Sequence, residues 1–90
     1  MRKIDISKQA EKYLMSLSPK QRKQITRNVI ALQTEVRPPD SKKLTGYAYS
    51  RVDSGEYRII YEWDERVVYI VVIGKRNDGE VYKKLRKRSR

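Results

Sequence analysis

The sequence predicts an α+β fold: an N-terminal strand, an antiparallel helix hairpin, then an antiparallel three-strand meander forming one sheet with helices on one face, and a basic C-terminal tail. Three observations lead there. Two segments with helical spacing are joined by only a Ser-Pro step. Three strand-like runs follow, separated by tight turns. The last of these runs, Val67 to Ile73, is apolar on both faces, as a central strand covered on each side should be. No repeat or low-complexity linker divides the chain, so residues 1–90 are expected to form one domain.

Taken in order, Ile4 and Ile6 alternate with polar neighbours in a short strand over residues 1–6. Ser7 caps a helix over Lys8 to Leu17, whose apolar positions are Ala10, Tyr13, Leu14 and Leu17. Ser18-Pro19-Lys20-Gln21 is a second helix start, with a cap, a proline at the first helical position and Gln three residues after the cap. Ile25, Val29, Leu32 and Val36 mark its buried face, and Pro38-Pro39 stops it after about Glu35. Lys8, Lys12, Arg22, Lys23 and Arg27 fall on the opposite, mostly solvated faces. Residues 40–46 read as a basic loop, Tyr47 to Val52 as a strand, and Asp53-Ser54-Gly55 as a turn. The next strand runs from Glu56 to Trp63, Asp64-Glu65 turns the chain, and Gly74 ends the third strand. The tail, 83–90, holds six cations and no acid; it begins as a helix after Asn77-Asp78-Gly79 and frays.

Composition excludes several function classes. With no cysteine and no histidine, neither a disulfide framework nor a Cys/His zinc site is possible, and neither metal nor cofactor is expected. The N-terminal dozen residues lack the apolar run of a secretory signal, and nothing nears the roughly 20 apolar residues of a membrane span. A cytoplasmic protein is expected. Against these exclusions stands the charge: 22 Lys+Arg against 11 Asp+Glu, a formal +11. Such a field draws anionic partners, nucleic acid first, with an acidic membrane surface or an acidic protein behind it.

Cations also occur where a core is expected. Tyr57, Ile59, Tyr61 and Trp63 share the core face of their strand, which leaves Arg58, Ile60 and Glu62 on the other. Arg58 either pairs with Glu62 or serves a site. A tight turn at Asp64-Glu65 places Gly74 and Lys75 near Glu56 and Gly55, which brings Arg58 and Arg76 to the same sheet end. Two guanidiniums there can grip one phosphate and stabilise charge that grows during phosphoryl transfer. Tyr82 follows on the outgoing segment, either packing it down or stacking on a base and handling a ribose proton. Lys42, Lys43, Arg51 and Lys75 are candidate contacts to an RNA backbone, each also readable as a solvated charge.

The order KKLTG, then YSRVDSGEYRIIYE, then VVYIVVIGKRNDGEVY resembles the RelE/ParE superfamily of toxin–antitoxin modules, and among them the RelE-type mRNA interferases. The resemblance covers nearly the whole chain, and GEYRIIY and GKR with EVY carry most of it. It implies a RelE-like fold and a metal-independent endoribonuclease that cuts mRNA in the ribosomal A site, with a cognate antitoxin as partner. By position it implies roles for Arg58, Arg76 and Tyr82. One departure concerns the strand before YR, where family members often carry two lysines. Here that strand reads Tyr49-Ser50-Arg51, and an arginine is a poor base. Lys43, Glu56 and Tyr82 remain as alternatives for that role. Two other readings stay open: a ParE-type, non-catalytic inhibitor of DNA gyrase, and a plain RNA-binding module.

Overall fold

The structure is a computed structural model that describes residues 1–77 and 79–88. Asp78 of the expected Asn77-Asp78-Gly79 turn and residues 89 and 90 of the tail lie outside the described residues. Among the described residues the chain forms β1 (Lys3–Ile6), α1 (Lys8–Met15), α2 (Pro19–Ala31), β2 (Lys42–Lys43), β3 (Ser50–Ser54), β4 (Tyr57–Trp63), β5 (Val67–Lys75) and α3 (Glu80–Arg88). The strands make one five-stranded sheet in the order β1-β5-β4-β3-β2. β1 runs parallel to β5, and the remaining pairs are antiparallel. The expected α+β class holds, with one correction: the sheet carries helices on both faces, not one, because the tail forms α3 and packs opposite the hairpin.

Both hairpin helices start where their caps predict. Ser7 Oγ accepts from the Ala10 N–H at 3.1 Å, and Ser18 Oγ accepts from the Gln21 N–H at 3.4 Å. One cation of the outer faces is not solvated. Arg22 donates from Nε to the Leu14 carbonyl (3.2 Å) and from Nη2 to the Leu17 carbonyl (3.1 Å). It thereby adds a donor to the Leu14 carbonyl, which also accepts from the Leu17 N–H, and ties the two helices together. α2 ends at Ala31, earlier than the apolar pattern suggests, yet Leu32 and Val36 remain buried in the turns that follow.

The sheet has a core on each face. On one, Leu14, Ile25 and Val29 of the hairpin pack on Ile59, Tyr61, Ile70 and Ile73. Tyr61 is fully buried there and donates its hydroxyl to the Val36 carbonyl at 2.7 Å. On the other face, Val81 and Leu85 of α3 pack with Ile60 and Val72. The basic tail is thus an amphipathic helix, and burying each of its two apolar anchors contributes about 1.5–3 kcal/mol. This explains why β5 is apolar on both sides.

β1 pairs only with Val67 to Ile70, so the rest of the β5 edge needs other partners. Ser7 Oγ donates to the Val71 carbonyl (2.7 Å). The Gln9 amide donates to the Ile73 carbonyl (3.4 Å) and accepts from the Ile73 N–H (3.3 Å). Lys84 Nζ also reaches the Ile73 carbonyl (3.1 Å), and Glu80 accepts from the Lys75 N–H (3.1 Å). Lys84 meanwhile sits 3.8 Å from the centre of the Tyr13 ring and so joins α3 to α1. Burial, with Glu80 beside it, pushes the Tyr13 phenol up to about 12, so that ring stays neutral.

Register is where the structure corrects the sequence reading. Gly74 stands opposite Arg58 and Lys75 opposite Tyr57, not near Glu56 and Gly55. Two features cause the shift. The Asp64 carboxylate accepts from both the Arg66 and Val67 N–H groups at 2.8 Å, making the turn longer than a tight two-residue loop. Ile60 pairs with Val72 while Tyr61 pairs with Ile70, so Val71 is an extra, bulged residue. At the other hairpin, β3 extends to Ser54 and the turn is Gly55-Glu56, with Gly55 at φ +62°. Lys42 and Lys43, expected in a loop, form the short edge strand β2. β5 continues through Gly74 instead of ending there.

Gly74 allows α3 to lie close against the sheet. A Cβ at that position would meet Glu80 Oε2 at 2.8 Å and Val81 Cγ1 at 3.2 Å. Val81 is buried and cannot swing away. Gly74→Ala should therefore lower unfolding stability by about 1–3 kcal/mol, the usual range for overpacking, measured as a fall in the urea midpoint. An unchanged midpoint would mean that α3 does not depend on this close approach.

Candidate nucleic-acid interface

The β3–β4 pairing builds the site. Val52 opposite Ile59 and Ser54 opposite Tyr57 face the helix hairpin, and strand alternation puts Arg51, Asp53 and Arg58 on the α3 side. Asp53 and Arg58 are direct partners across the two strands. The Arg58 guanidinium donates from Nε to Asp53 Oδ1 at 2.8 Å and from Nη2 to Asp53 Oδ2 at 3.4 Å. The two side chains are 15% and 33% exposed, so the pair lies at the rim and not in the core. The expected alternative partner, Glu62, is not the one used.

Two further groups come in from β5 and α3. The Arg76 N–H donates to the Glu56 carbonyl at 3.0 Å, which pins the residue after β5 beside the β3–β4 turn. Tyr82 lies in the first turn of α3, where its N–H donates to the Gly79 carbonyl at 3.1 Å. Its ring packs at the edge of the α3-side core with Tyr47 and Tyr49, whose rings stack 6.0 Å apart. Of these phenols, Tyr82 is the one that acts on Arg58.

Electrostatics confirm the convergence. The Arg58 hydrogen bond holds the Asp53 carboxyl below its ordinary range against the opposing effect of burial, and Arg58, Arg51 and Arg76 add through their charges. Conversely, the Asp53 hydrogen bond raises the Arg58 guanidinium further, and the Tyr82 phenol contributes in the same sense. Three guanidiniums therefore act on the Asp53 carboxylate, and the Tyr82 phenol acts on one of them, Arg58. The net charge is positive, and such an arrangement can hold an anion with more than one negative oxygen.

Lys42 stands opposite Arg51 and shares its side of the sheet. Lys43 stands opposite Ser50, and Lys75 opposite Tyr57, so the register places both toward the helix-hairpin side. Arg51, Arg58, Arg76, Tyr82 and Lys42 are thus brought together, and Lys43 and Lys75 are set apart from them. Asp53 was read as part of a turn. The signal that could have recovered it is Gly55: a two-residue turn at Gly55-Glu56 puts Ser54 opposite Tyr57 and Asp53 opposite Arg58. Among the described residues, no group of three His, Cys, Asp or Glu side chains could hold a metal. No helix among them is long and apolar enough to cross a membrane.

The Asp53–Arg58 pair also sets a pH dependence. Because the folded carboxyl titrates below its ordinary value of 3.8, the unfolded chain binds more protons between the two values. The stabilisation is present above the ordinary value and disappears as pH falls through the lowered one. Melting temperature followed from pH 7 to pH 2 should fall less steeply below pH 4 for Asp53→Asn than for the parent chain. Parallel curves would show that the pair does not contribute to acid sensitivity.

Comparison with known proteins agrees with this architecture. The family model described as the ParE toxin of type II toxin–antitoxin systems, parDE, matches residues 4–79. The isolated RelE toxin of E. coli is 27% identical, covers 98% of each chain and superposes with a TM-score of 0.72. A mutant of the same toxin in its free state is 26% identical over 99% of this chain and 98% of that one, with a TM-score of 0.74. The archaeal RelE–RelB complex of Pyrococcus horikoshii OT3 is 28% identical, covers 86% of this chain and 97% of that one, and has a TM-score of 0.73. A search of curated protein sequences finds no match. With a family match over most of its length and a RelE-like fold throughout, the chain belongs to the RelE/ParE superfamily as a toxin of the type II toxin–antitoxin family.

Proposed function

We propose that this toxin is a ribosome-dependent endoribonuclease that cuts mRNA in the A site. The observation that carries the reading is the meeting of Arg58, Arg76 and Tyr82 at one sheet rim, with Arg51 beside them. Cleavage proceeds by attack of a ribose 2′-oxygen on the adjacent phosphorus. The 2′-hydroxyl proton passes to water by way of the group that deprotonates it, the bond from phosphorus to the 5′-oxygen breaks, and that oxygen takes up a proton from water, leaving a 2′,3′-cyclic phosphate and a 5′-hydroxyl. Arg58 and Arg76 hold the non-bridging oxygens as charge accumulates on them, so the reaction needs no metal. Arg51 and Lys42 hold the backbone on the same side, and Lys43 and Lys75 meet the strand where it passes around the sheet.

Tyr82 is the group assigned to the 2′-hydroxyl, because among the three alternatives it lies beside Arg58. Glu56 sits exposed in the β3–β4 turn, and Lys43 is placed toward the helix-hairpin side. Asp53 is a poor base while Arg58 holds its carboxyl low. So small a set is slow on free RNA, and the ribosome supplies the substrate geometry. Action at the ribosome places the toxin in the cytoplasm. A second reading, inhibition of DNA gyrase, draws on the ParE name of the matching family.

Mapping mRNA 5′ ends in a translation extract tests the first reading. The parent chain should produce cuts at A-site codons, and Arg58→Ala and Arg76→Ala should each reduce them by roughly 10²–10³-fold, as loss of one transition-state charge donor does. Tyr82→Phe should slow cutting without abolishing mRNA binding. Intact mRNA together with inhibited supercoiling in a gyrase assay would instead favour the second reading.

The similar structures include RelE–RelB complexes from P. horikoshii and from Methanococcus jannaschii, which supports a cognate antitoxin as partner here. Co-expression of the adjacent open reading frame should relieve growth arrest and yield a complex that co-purifies at low salt. Persistent toxicity with no co-purification counts against that partner.

A further inference from the structure

A carboxylate is out of place in a site for a polyanion. Asp53 repels the phosphate that Arg51, Arg58 and Arg76 attract, so its presence reduces affinity for RNA. Stability alone is a weak reason for it, since a pair this exposed is worth about 0–1 kcal/mol. What the pair does provide is orientation. A guanidinium has five N–H groups in a fixed plane, and Asp53 occupies the edge formed by Nε and Nη2. With that edge taken the plane is held, and the remaining N–H groups are shared between the Tyr82 phenol, which also acts on Arg58, and a ligand. Asp53 is itself fixed, because it lies within β3 and directly opposite Arg58 in the ladder.

We propose that Asp53 is a positioning residue for Arg58, giving up some RNA affinity in exchange for one defined orientation of the guanidinium against the reacting phosphate. This rests on the endoribonuclease reading. Held in one plane, Arg58 meets the non-bridging oxygens of the dianionic phosphorane that 2′-oxygen attack creates. A freely rotating Arg58 would bind the ground-state phosphate well and the phosphorane less selectively.

The proposal predicts that binding and turnover move in opposite directions. Asp53→Asn should bind a 2′-O-methyl RNA oligonucleotide more tightly, read by fluorescence anisotropy. Its kcat for ribosome-programmed mRNA should fall by roughly 10- to 100-fold, the usual consequence of a misplaced catalytic group. Its KM should stay level or fall. Asp53→Glu keeps the charge and should recover part of the turnover. Unchanged kcat in Asp53→Asn, or a loss that appears wholly in KM, overturns the proposal. A separate measurement keeps this apart from the endoribonuclease reading. The Arg58 Nε–H should give a slowly exchanging NMR signal in the parent chain and a fast-exchanging one in a folded Asp53→Asn variant. Should the parent chain cut no mRNA, the endoribonuclease reading fails by itself. Equal exchange in the two proteins defeats the positioning claim whatever the cleavage result.

Discussion

Burying both faces of β5 is the constraint on which the rest of this small structure depends. Val68, Ile70 and Ile73 need cover on one side, and Val72 needs it on the other. A chain of 90 residues has little apolar material with which to provide both. The α1–α2 hairpin covers the first side, tied by Arg22 across its own corner. The second is covered by Leu44, Tyr47 and Tyr49 beside β2 and β3 and by the basic tail, which docks through Val81 and Leu85. Gly74 lets the helix approach, and Lys84 fastens it to the carbonyl of Ile73 and the ring of Tyr13.

That same docking creates the rim. α3 covers Ile60 and Val72 and carries Tyr82 in its first turn, next to the row that holds Asp53 and Arg58. Stability and the candidate site thus meet in one helix: its buried face completes a core, and its first turn brings a phenol to Arg58. The arginine contributed by β5 comes into place through a single backbone hydrogen bond to the β3–β4 turn. Arg51 and Arg58 are therefore held on neighbouring strands, Arg76 just beyond β5 and Tyr82 on the helix, so strand pairing and helix docking together set their separation.

Charge is distributed with the same economy. The surface is strongly basic, and several acids are used where a donor needs them. Asp64 shapes the β4–β5 turn, Glu80 takes an N–H of the β5 edge together with Lys84, and Asp53 orients Arg58. Arg51 and Arg76, which act on Asp53 only through their charge, remain available to an anionic partner. A high net charge alone would have suggested only that such a partner exists.

Much of this was legible in the residues. Periods of 3.6 and 2, the two Ser caps, Pro19 and the Pro38-Pro39 stop determine the element order, and the two-sided apolar run identifies β5 as a covered strand. Arg58, Arg76 and Tyr82 could be singled out as misfits on that scaffold. The pairing was not legible. Register depends on contacts between distant residues, and one bulged residue at Val71 with one longer turn at Asp64 moves Gly74 from beside Glu56 to opposite Arg58. Nothing in local periodicity reports either event. Asp53 shows the consequence: as a residue type it looks like turn chemistry, and only the ladder makes it the partner of Arg58. Sequence by itself therefore determined most of the elements, though not β2 or the end of α2, together with the charge and the candidate groups. Tertiary structure decided which of them meet, because that depends on strand pairing and helix docking across the whole chain.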